Sequence, residues 1–212
     1  MDREKTISQQ VIKRMPRYYR HLANLLDEKI ERVSSMELAQ LMNITASQVR
    51  QDLNNFGCFG QQGYGYSVQV LHDSISGILG LGASYDMIII GGGNMGSALA
   101  NYKGFSSLGF MVRAIFDKSA STIGKFVGGC TVRDISYLEE YAANNPIDIA
   151  VLSLRARNYE DIAQRVFAIN GIKAVWNLTT TELRPPEGVI VENVHLSDSL
   201  MMLSYALQKP TD

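Results

Sequence analysis

The sequence predicts a two-part α/β chain: helices in front, a doubly wound parallel sheet behind them, and one last helix. Three observations carry this expectation. Two short segments near the N-terminus each open with a helix-capping pattern. A short apolar run, Met87-Ile88-Ile89-Ile90, leads straight into Gly91-Gly92-Gly93-Asn94-Met95-Gly96. Beyond it, strand-like apolar runs alternate with helical ones to the end of the chain.

Composition narrows the class. The chain has 212 residues, 46% hydrophobic and 19% charged, so it can bury a core. No apolar run approaches the ~18 residues of a membrane helix, and the charged start (Asp2, Arg3, Glu4, Lys5) has no signal-peptide core. A soluble cytoplasmic protein is expected. Two cysteines, Cys58 and Cys130, and three scattered histidines, His21, His72 and His195, argue against a disulfide framework and a metal site. The net charge of −1 hides an asymmetry: residues 1–60 hold nine Lys/Arg against seven Asp/Glu, and the remainder eleven against fourteen. Lys13, Arg17 and Arg20 are spaced i, i+4, i+7 on one helix face. Such a face is also compatible with plain solvation.

Three helices are expected in front. The first spans about Ser8 to Leu26, its apolar side made by Val11, Met15, Tyr18, Tyr19, Leu22 and Leu26; Pro16 either sits inside it or starts it. Ser34 and Glu37 have capping-box spacing and open the second. After the Asn43-Ile44 turn, Thr45 and Gln48 repeat that spacing and open the third, which runs to about Asn55. Two short capped helices joined by a tight turn form a helix-turn-helix pattern, although many all-α domains also contain such pairs. Groove-facing candidates are Ser47, Gln48, Arg50 and Gln51, with Arg14 nearby. Glutamine can pair bidentately with adenine, and arginine with guanine or phosphate. The glycine-rich stretch that follows, with Tyr64 and Tyr66 and then alternating Val68 and Val70, predicts a hairpin tipped by Gln61-Gln62: the wing of a winged helix. A connecting helix over 71–82 ends at the linker Gly80–Ser84. The expected domains are residues 1–83 (helix-turn-helix about 17–56, wing about 57–70), 84–194 and 195–212.

The second domain has the marks of a Rossmann fold. Gly91, Gly93 and Gly96 fit G-x-G-x-x-G, between a strand and a helix. A second strand, Val112–Phe116, ends in Asp117, 21 residues after Gly96. Gly91 permits the tight turn, Gly93 lets the backbone approach a pyrophosphate, and Gly96 lets helix and strand pack closely. Gly92, Asn94 and Met95 complete the turn, and Ser153 follows the next strand, 147–152. Asp117 suits adenine-ribose hydroxyls and repels a 2′-phosphate, favouring NAD(H). A vestigial Rossmann fold without cofactor is the alternative. Further elements are a helix over 159–168, strands over 173–178 and 189–194, and a helix over 196–208 striped by Leu196, Leu200, Leu203 and Leu207.

A Rossmann domain does not by itself mean an enzyme. The 129 residues from Ser84 onward leave no room for a substrate domain, and His195 is their only histidine. The cofactor is therefore expected to be a signal. The runner-up is a small NAD-dependent oxidoreductase with an appended helical domain; a third reading is a DNA-binding architectural protein with a silent cofactor site.

Taken together, the chain resembles the Rex family of redox-sensing transcriptional repressors. The resemblance runs through Lys13–Arg20, Ser47–Leu53 with Phe56-Gly57, Gly63–Tyr66, Gly91–Gly96 with Ala98, Leu99 and Tyr102, Phe116-Asp117, Gly171–Lys173, Trp176-Asn177 and Val191–Val194. It implies a homodimer with exchanged C-terminal helices, bound to a palindromic operator and released by NADH. It also implies that a carboxylate at the start of the last helix chooses between Arg20 and Tyr102. Here that position is His195, which offers Arg20 no carboxylate; Asp198, one helical turn on, is the available substitute. Gln51 and Gln62 stand where the family commonly has basic residues, which implies weaker, less salt-dependent DNA binding. Arg155 and Thr180 replace prolines usual in the cofactor-side loops.

Overall fold

The computed structural model describes residues 7–55, 60–61, 64–154 and 159–208. Two compact units divide the chain, Met1–Ala83 and Ser84–Asp212. Among the described residues, no helix is long and apolar enough to cross a membrane.

The first unit contains α1 (Gln9–Asp27), β1 (Arg32–Val33), α2 (Ser35–Met42), α3 (Ala46–Asn54), β2 (Gly60–Gln61), β3 (Gly65–Ser67) and α4 (Val68–Ile78). Ser8 caps α1, and Pro16 lies inside the helix rather than at its start. Val11 and Met15, both ahead of the proline, are buried on the same stripe as Tyr18 and Leu22. Burying them offsets the lost i→i−4 bond, and the proline ring faces solvent. The box at α2 is complete: Glu37 N–H donates to Ser34 Oγ at 3.1 Å, and Ser34 N–H to Glu37 Oε2 at 2.7 Å. Asn43 then turns the chain in a left-handed conformation (φ 51°). At α3 only half of the expected box forms. Gln48 N–H donates to Thr45 Oγ1 at 3.1 Å, but the Gln48 side chain turns away and donates to Asp52 Oδ1 at 2.8 Å. A bond to a carboxylate is stronger than one between neutral groups.

The three short strands pair antiparallel in the order β1-β3-β2. The expected alternation at Val68 and Val70 is not strand. Ser67 caps α4, and Val68, Leu71 and Ile75 bury on one helical stripe, so the helix begins three residues earlier than predicted and stops at Ile78. Cys58, Gln62 and Gly63 lie outside the described residues.

The second unit is a seven-stranded sheet in the order β10-β9-β8-β4-β5-β7-β6. Its strands are β4 (Tyr85–Ile90), β5 (Phe110–Asp117), β6 (Phe126–Val127), β7 (Cys130–Asp134), β8 (Ile149–Leu152), β9 (Ala174–Asn177) and β10 (Ile190–Asn193). All neighbours pair in parallel except β6 and β7. The helices are α5 (Asn94–Ala100), α6 (Gly104–Ser107), α7 (Leu138–Asn144), α8 (Tyr159–Phe167) and α9 (Leu196–Leu207). Ile88 and Ile90 bury in one layer of core, Met87 and Ile89 in the other. Two-sided burial explains the unbroken apolar run of β4. From β4 the chain builds one half of the sheet through β5 and β7, then crosses back to β8 on the other side of β4. That reversal opens a crevice at the C-terminal ends of β4 and β8.

Ser34→Ala, which removes one arm of the capping box, is expected to cost the first unit about 1 kcal/mol. Urea unfolding followed by helical circular dichroism measures it.

Candidate cofactor cleft and nucleic-acid face

The chain leaves β4 through Gly91, whose φ of +108° only glycine adopts readily. A Cβ there would sit 2.3 Å from the Ser153 carbonyl oxygen. The turn is pinned on both sides: Gly91 N–H donates to the Phe116 carbonyl at 2.7 Å, and Ser153 N–H to the Ile90 carbonyl at 2.8 Å. Gly96 lies in the first turns of α5, where a Cβ would come within 1.8 Å of the Gly91 carbonyl oxygen. Gly93 precedes α5 and differs from both, since a Cβ there would meet nothing within 4 Å. The two outer glycines thus serve packing, and the middle one borders open space.

Asp117 closes the far side. Its Oδ2 accepts from Gly92 N–H at 2.7 Å and its Oδ1 from Ser119 N–H at 2.8 Å. The carboxylate at the end of β5 therefore holds the glycine turn at the end of β4. Gly91, Gly92, Gly93, Asn94, Met95, Asp117 and Ser153 all line one cleft of ≈ 930 Å³. Lys118, Ser119, Ser121, Thr122 and Lys125, from the loop after β5, line it too and escaped the sequence reading. That loop has no periodicity, and only its place after Asp117 hinted at a role. Behind the cleft, Asn177 Nδ2 donates to Thr181 O and Asn193 Oδ1, both at 2.7 Å, and Thr179 Oγ1 donates to Asn177 Oδ1. This buried knot fixes the segment after β9 that carries Leu178 into the cleft.

Tyr102 is placed differently from expectation. It lines a second hollow of ≈ 350 Å³ with Phe105, Phe110 and Gly128. It lies beyond the C-terminal end of α5, whose length of roughly 10 Å separates it from the glycine turn. Its ring meets Phe105 edge-on at 4.9 Å, and Phe105 meets Trp176 at 5.8 Å. Arg155 lies outside the described residues; Thr180 is exposed. His195 occupies the cap position of α9 without a side-chain cap bond, and Asp198 is exposed in the first turn. Arg20 is exposed on α1, in the first unit.

On the first unit, Ser47, Arg50 and Gln51 are exposed along α3, with Gln48 half-buried between them. Arg50 Nη1 donates to Ser35 Oγ at 3.0 Å. Tyr64 is exposed after the hairpin tip, with the Arg32 guanidinium 5.9 Å from its ring centre. Arg32 was missed because a lone arginine in a two-residue strand gives no pattern. Arg14, expected to face DNA, is committed elsewhere. Its Nε and Nη2 each donate to the Asp52 carboxylate at 2.7 Å. Arg17 is likewise drawn to the Met42 carbonyl at the end of α2. The basic helix face is thus partly internal bracing.

Asp52 is fully buried, and Tyr18 Oη and Gln48 Nε2 add to its bonds from Arg14. Burial pushes its carboxyl upward, but the Arg14, Gln48 and Tyr18 bonds outweigh that and hold it below the usual carboxylate range. Burial and the neighbouring Asp52 charge push the Tyr18 phenol up. A carboxyl depressed in the folded state stabilises above its unfolded value near 3.9 and loses that contribution as pH falls through the folded value. Asp52→Ala is expected to cost about 3 kcal/mol, the low end for a broken buried pair because Arg14 stays 23% exposed. In urea unfolding at pH 7 and at successively lower pH, the gap to the parent narrows below about pH 4.

Comparison with known proteins places the chain. A family model described as a DNA-binding protein N-terminus matches residues 6–54, and one described as a CoA binding domain matches residues 83–181. The redox-sensing transcriptional repressor Rex of Clostridium botulinum (strain Hall) is 49% identical over 209 residues, 99% of either chain. That of Clostridioides difficile (strain 630) is 49% identical over 205 residues, 97% of either chain. The crystal structure of RSP in complex with β-NAD+ and operator DNA superposes with a TM-score of 0.89 at 47% identity, covering 96% of this chain and 93% of that one. RSP in complex with β-NADH gives a TM-score of 0.86 at 44% identity, covering 96% and 95%. With half its residues shared along its whole length, the chain belongs to the Rex family of redox-sensing transcriptional repressors.

Proposed function

We propose that this chain is an NADH-responsive repressor that binds a palindromic operator as a homodimer in the cytoplasm and leaves it when NADH rises. The observation that carries the proposal is the cleft at the end of β4. Its glycine turn is locked by Asp117, and the same chain carries an exposed α3 in a separate unit. The residues fit a dinucleotide. Gly93 leaves room for a diphosphate to approach the backbone, and Lys118 and Lys125 add positive charge to the cleft. Its volume lies within the range of cofactor sites. Asp117 would receive the adenine-ribose hydroxyls. NAD(H) bound here acts as a ligand whose oxidation state is sensed. The relatives carry the name of repressors, which supports a regulator over an oxidoreductase.

For DNA, Ser47, Gln48, Arg50 and Gln51 would face the major groove. The hairpin with Tyr64, and Gln62 at its tip, would serve as the wing beside it, with Arg32 supplying a charge. Dimerisation rests on α9. Leu196, Leu200, Leu203 and Leu207 are 58%, 66%, 59% and 86% exposed, and none of the helix is buried. A continuous apolar face of this kind calls for a partner, and a second copy that exchanges helices would cover it. Arg20, Tyr102, His195 and Asp198 would form the switch. His195 can donate a hydrogen bond to Tyr102 but cannot offer Arg20 a carboxylate, so Asp198 would have to receive Arg20.

Fluorescence anisotropy of a palindromic operator duplex, titrated with NADH and then NAD+ at fixed salt, tests the reading. Release by NADH at far lower concentration than by NAD+ is expected. Binding indifferent to both would refute a redox-responsive repressor, and His195→Asp would then show whether the missing carboxylate is the reason. Separately, Leu200→Asp with Leu203→Asp is expected to convert the dimer to monomer in sedimentation velocity, and a parent that is already monomeric would refute the dimer.

A further inference from the structure

We propose that Asp52 is the positioning residue that sets Gln48 to read adenine in the operator. This rests on the DNA-binding reading above and adds to it the base that is read and the device that reads it. A glutamine amide is ambiguous as a reader, because it can present its oxygen or its nitrogen after a half-turn and has three torsions to freeze on binding. Here neither freedom remains. The Asp52 carboxylate can only accept, so the end of Gln48 that faces it, 2.8 Å away, must be the NH2 group. The carboxylate is itself immobile: buried, gripped by two bonds from Arg14 and touched by Tyr18 Oη at 3.1 Å. Four bonds from three side chains on two helices thus converge on the Asp52 carboxylate, and one of them holds the Gln48 amide.

The consequence for recognition is geometric. One N–H of Gln48 points inward to Asp52. With the N–H anti to the carbonyl given to Asp52, the second N–H and the carbonyl oxygen would form the outer edge of the amide, in the first turn of α3, where recognition helices meet base edges. A donor beside an acceptor in one plane is the complement of adenine N7 and N6 in the major groove. The reversed amide would require an unsatisfied contact between two acceptors, Oε1 and Asp52. The arrangement also accounts for the missing arm of the α3 capping box, since the side chain that would close it is in use. The Arg14 guanidinium neutralises Asp52, so a carboxylate near the DNA face brings little repulsion to phosphate.

The experiment uses the full-length protein and the duplex it selects from a randomised palindromic library. Every base pair of the half-site is then substituted symmetrically, and affinities are measured by anisotropy. For the parent, one A·T position is expected where G·C weakens binding on the order of ten- to a hundred-fold. Gln48→Leu and Asp52→Asn are each expected to flatten that position alone, and the double variant to be no flatter than either. Asp52→Asn weakening every duplex by the same factor would mean a purely structural role and overturn the proposal. So would an unchanged profile in either variant, or a flattened G·C position. If Asp52→Asn does not fold, Arg14→Lys, which keeps a cation beside Asp52 but releases its two-pronged grip, is judged by the same criterion. A parent that binds all duplexes alike would overturn the DNA reading, and this inference with it.

Discussion

The close approach of three backbone segments at the end of β4 is the constraint on which the second unit depends. Gly91, Gly96 and Ser153 come so near one another that no Cβ fits at either glycine. The turn therefore has one shape, and Asp117 reaches from β5 to hold it. From that fixed point follow the start of α5, the open edge at Gly93 and the position of the cleft between the two halves of the sheet. A carboxylate whose two oxygens are already engaged by backbone N–H groups is also a rigid one. A ligand hydroxyl meeting it finds the acceptors in place, with little ordering left to oppose binding.

The first unit obeys a different logic, in which polar groups rather than glycines set the geometry. Its core of Val11, Met15, Leu38, Met42, Val49 and Leu71 would pack in several related ways, because aliphatic contacts lack direction. Asp52 supplies direction. Buried among those side chains, it demands donors, and Arg14, Tyr18 and Gln48 meet that demand in only one mutual placement of α1 and α3. Arg17 and Arg50 extend the same bracing to the two ends of α2.

Elements buried on both faces were legible in the sequence. β4 and β8 are continuous apolar runs because the sheet is covered on each side, and α1 and α2 carry both an apolar stripe and a cap. The unreadable elements lie at edges or are short. β1 and β6 contain two residues each, too few for an alternation to register, and β7 buries only Val132. Val68 and Val70 looked like strand until Ser67 proved to be a cap; on the helix Val68 is buried and Val70 is exposed, so their spacing reflects no strand alternation. The glycine turn with Asp117 was readable because its spacing encodes a local shape. The role of Asp52 was not, because its partner Arg14 lies 38 positions away and no local pattern records such a pairing. Arg14 itself misled for the same reason: a cation in a basic stretch reads as surface until its acid is found.

The aromatic contacts beside the second hollow give the molecule a property of another kind. Trp176 is the chain's sole tryptophan, and its edge is packed against Phe105, which in turn holds Tyr102. The sole indole thus stands two rings from Tyr102, on β9, the strand next to β8. A rearrangement that moves Phe105 alters the packing of the indole. The protein therefore carries its own optical readout of conformational state, and the native emission spectrum can be followed in time without a label.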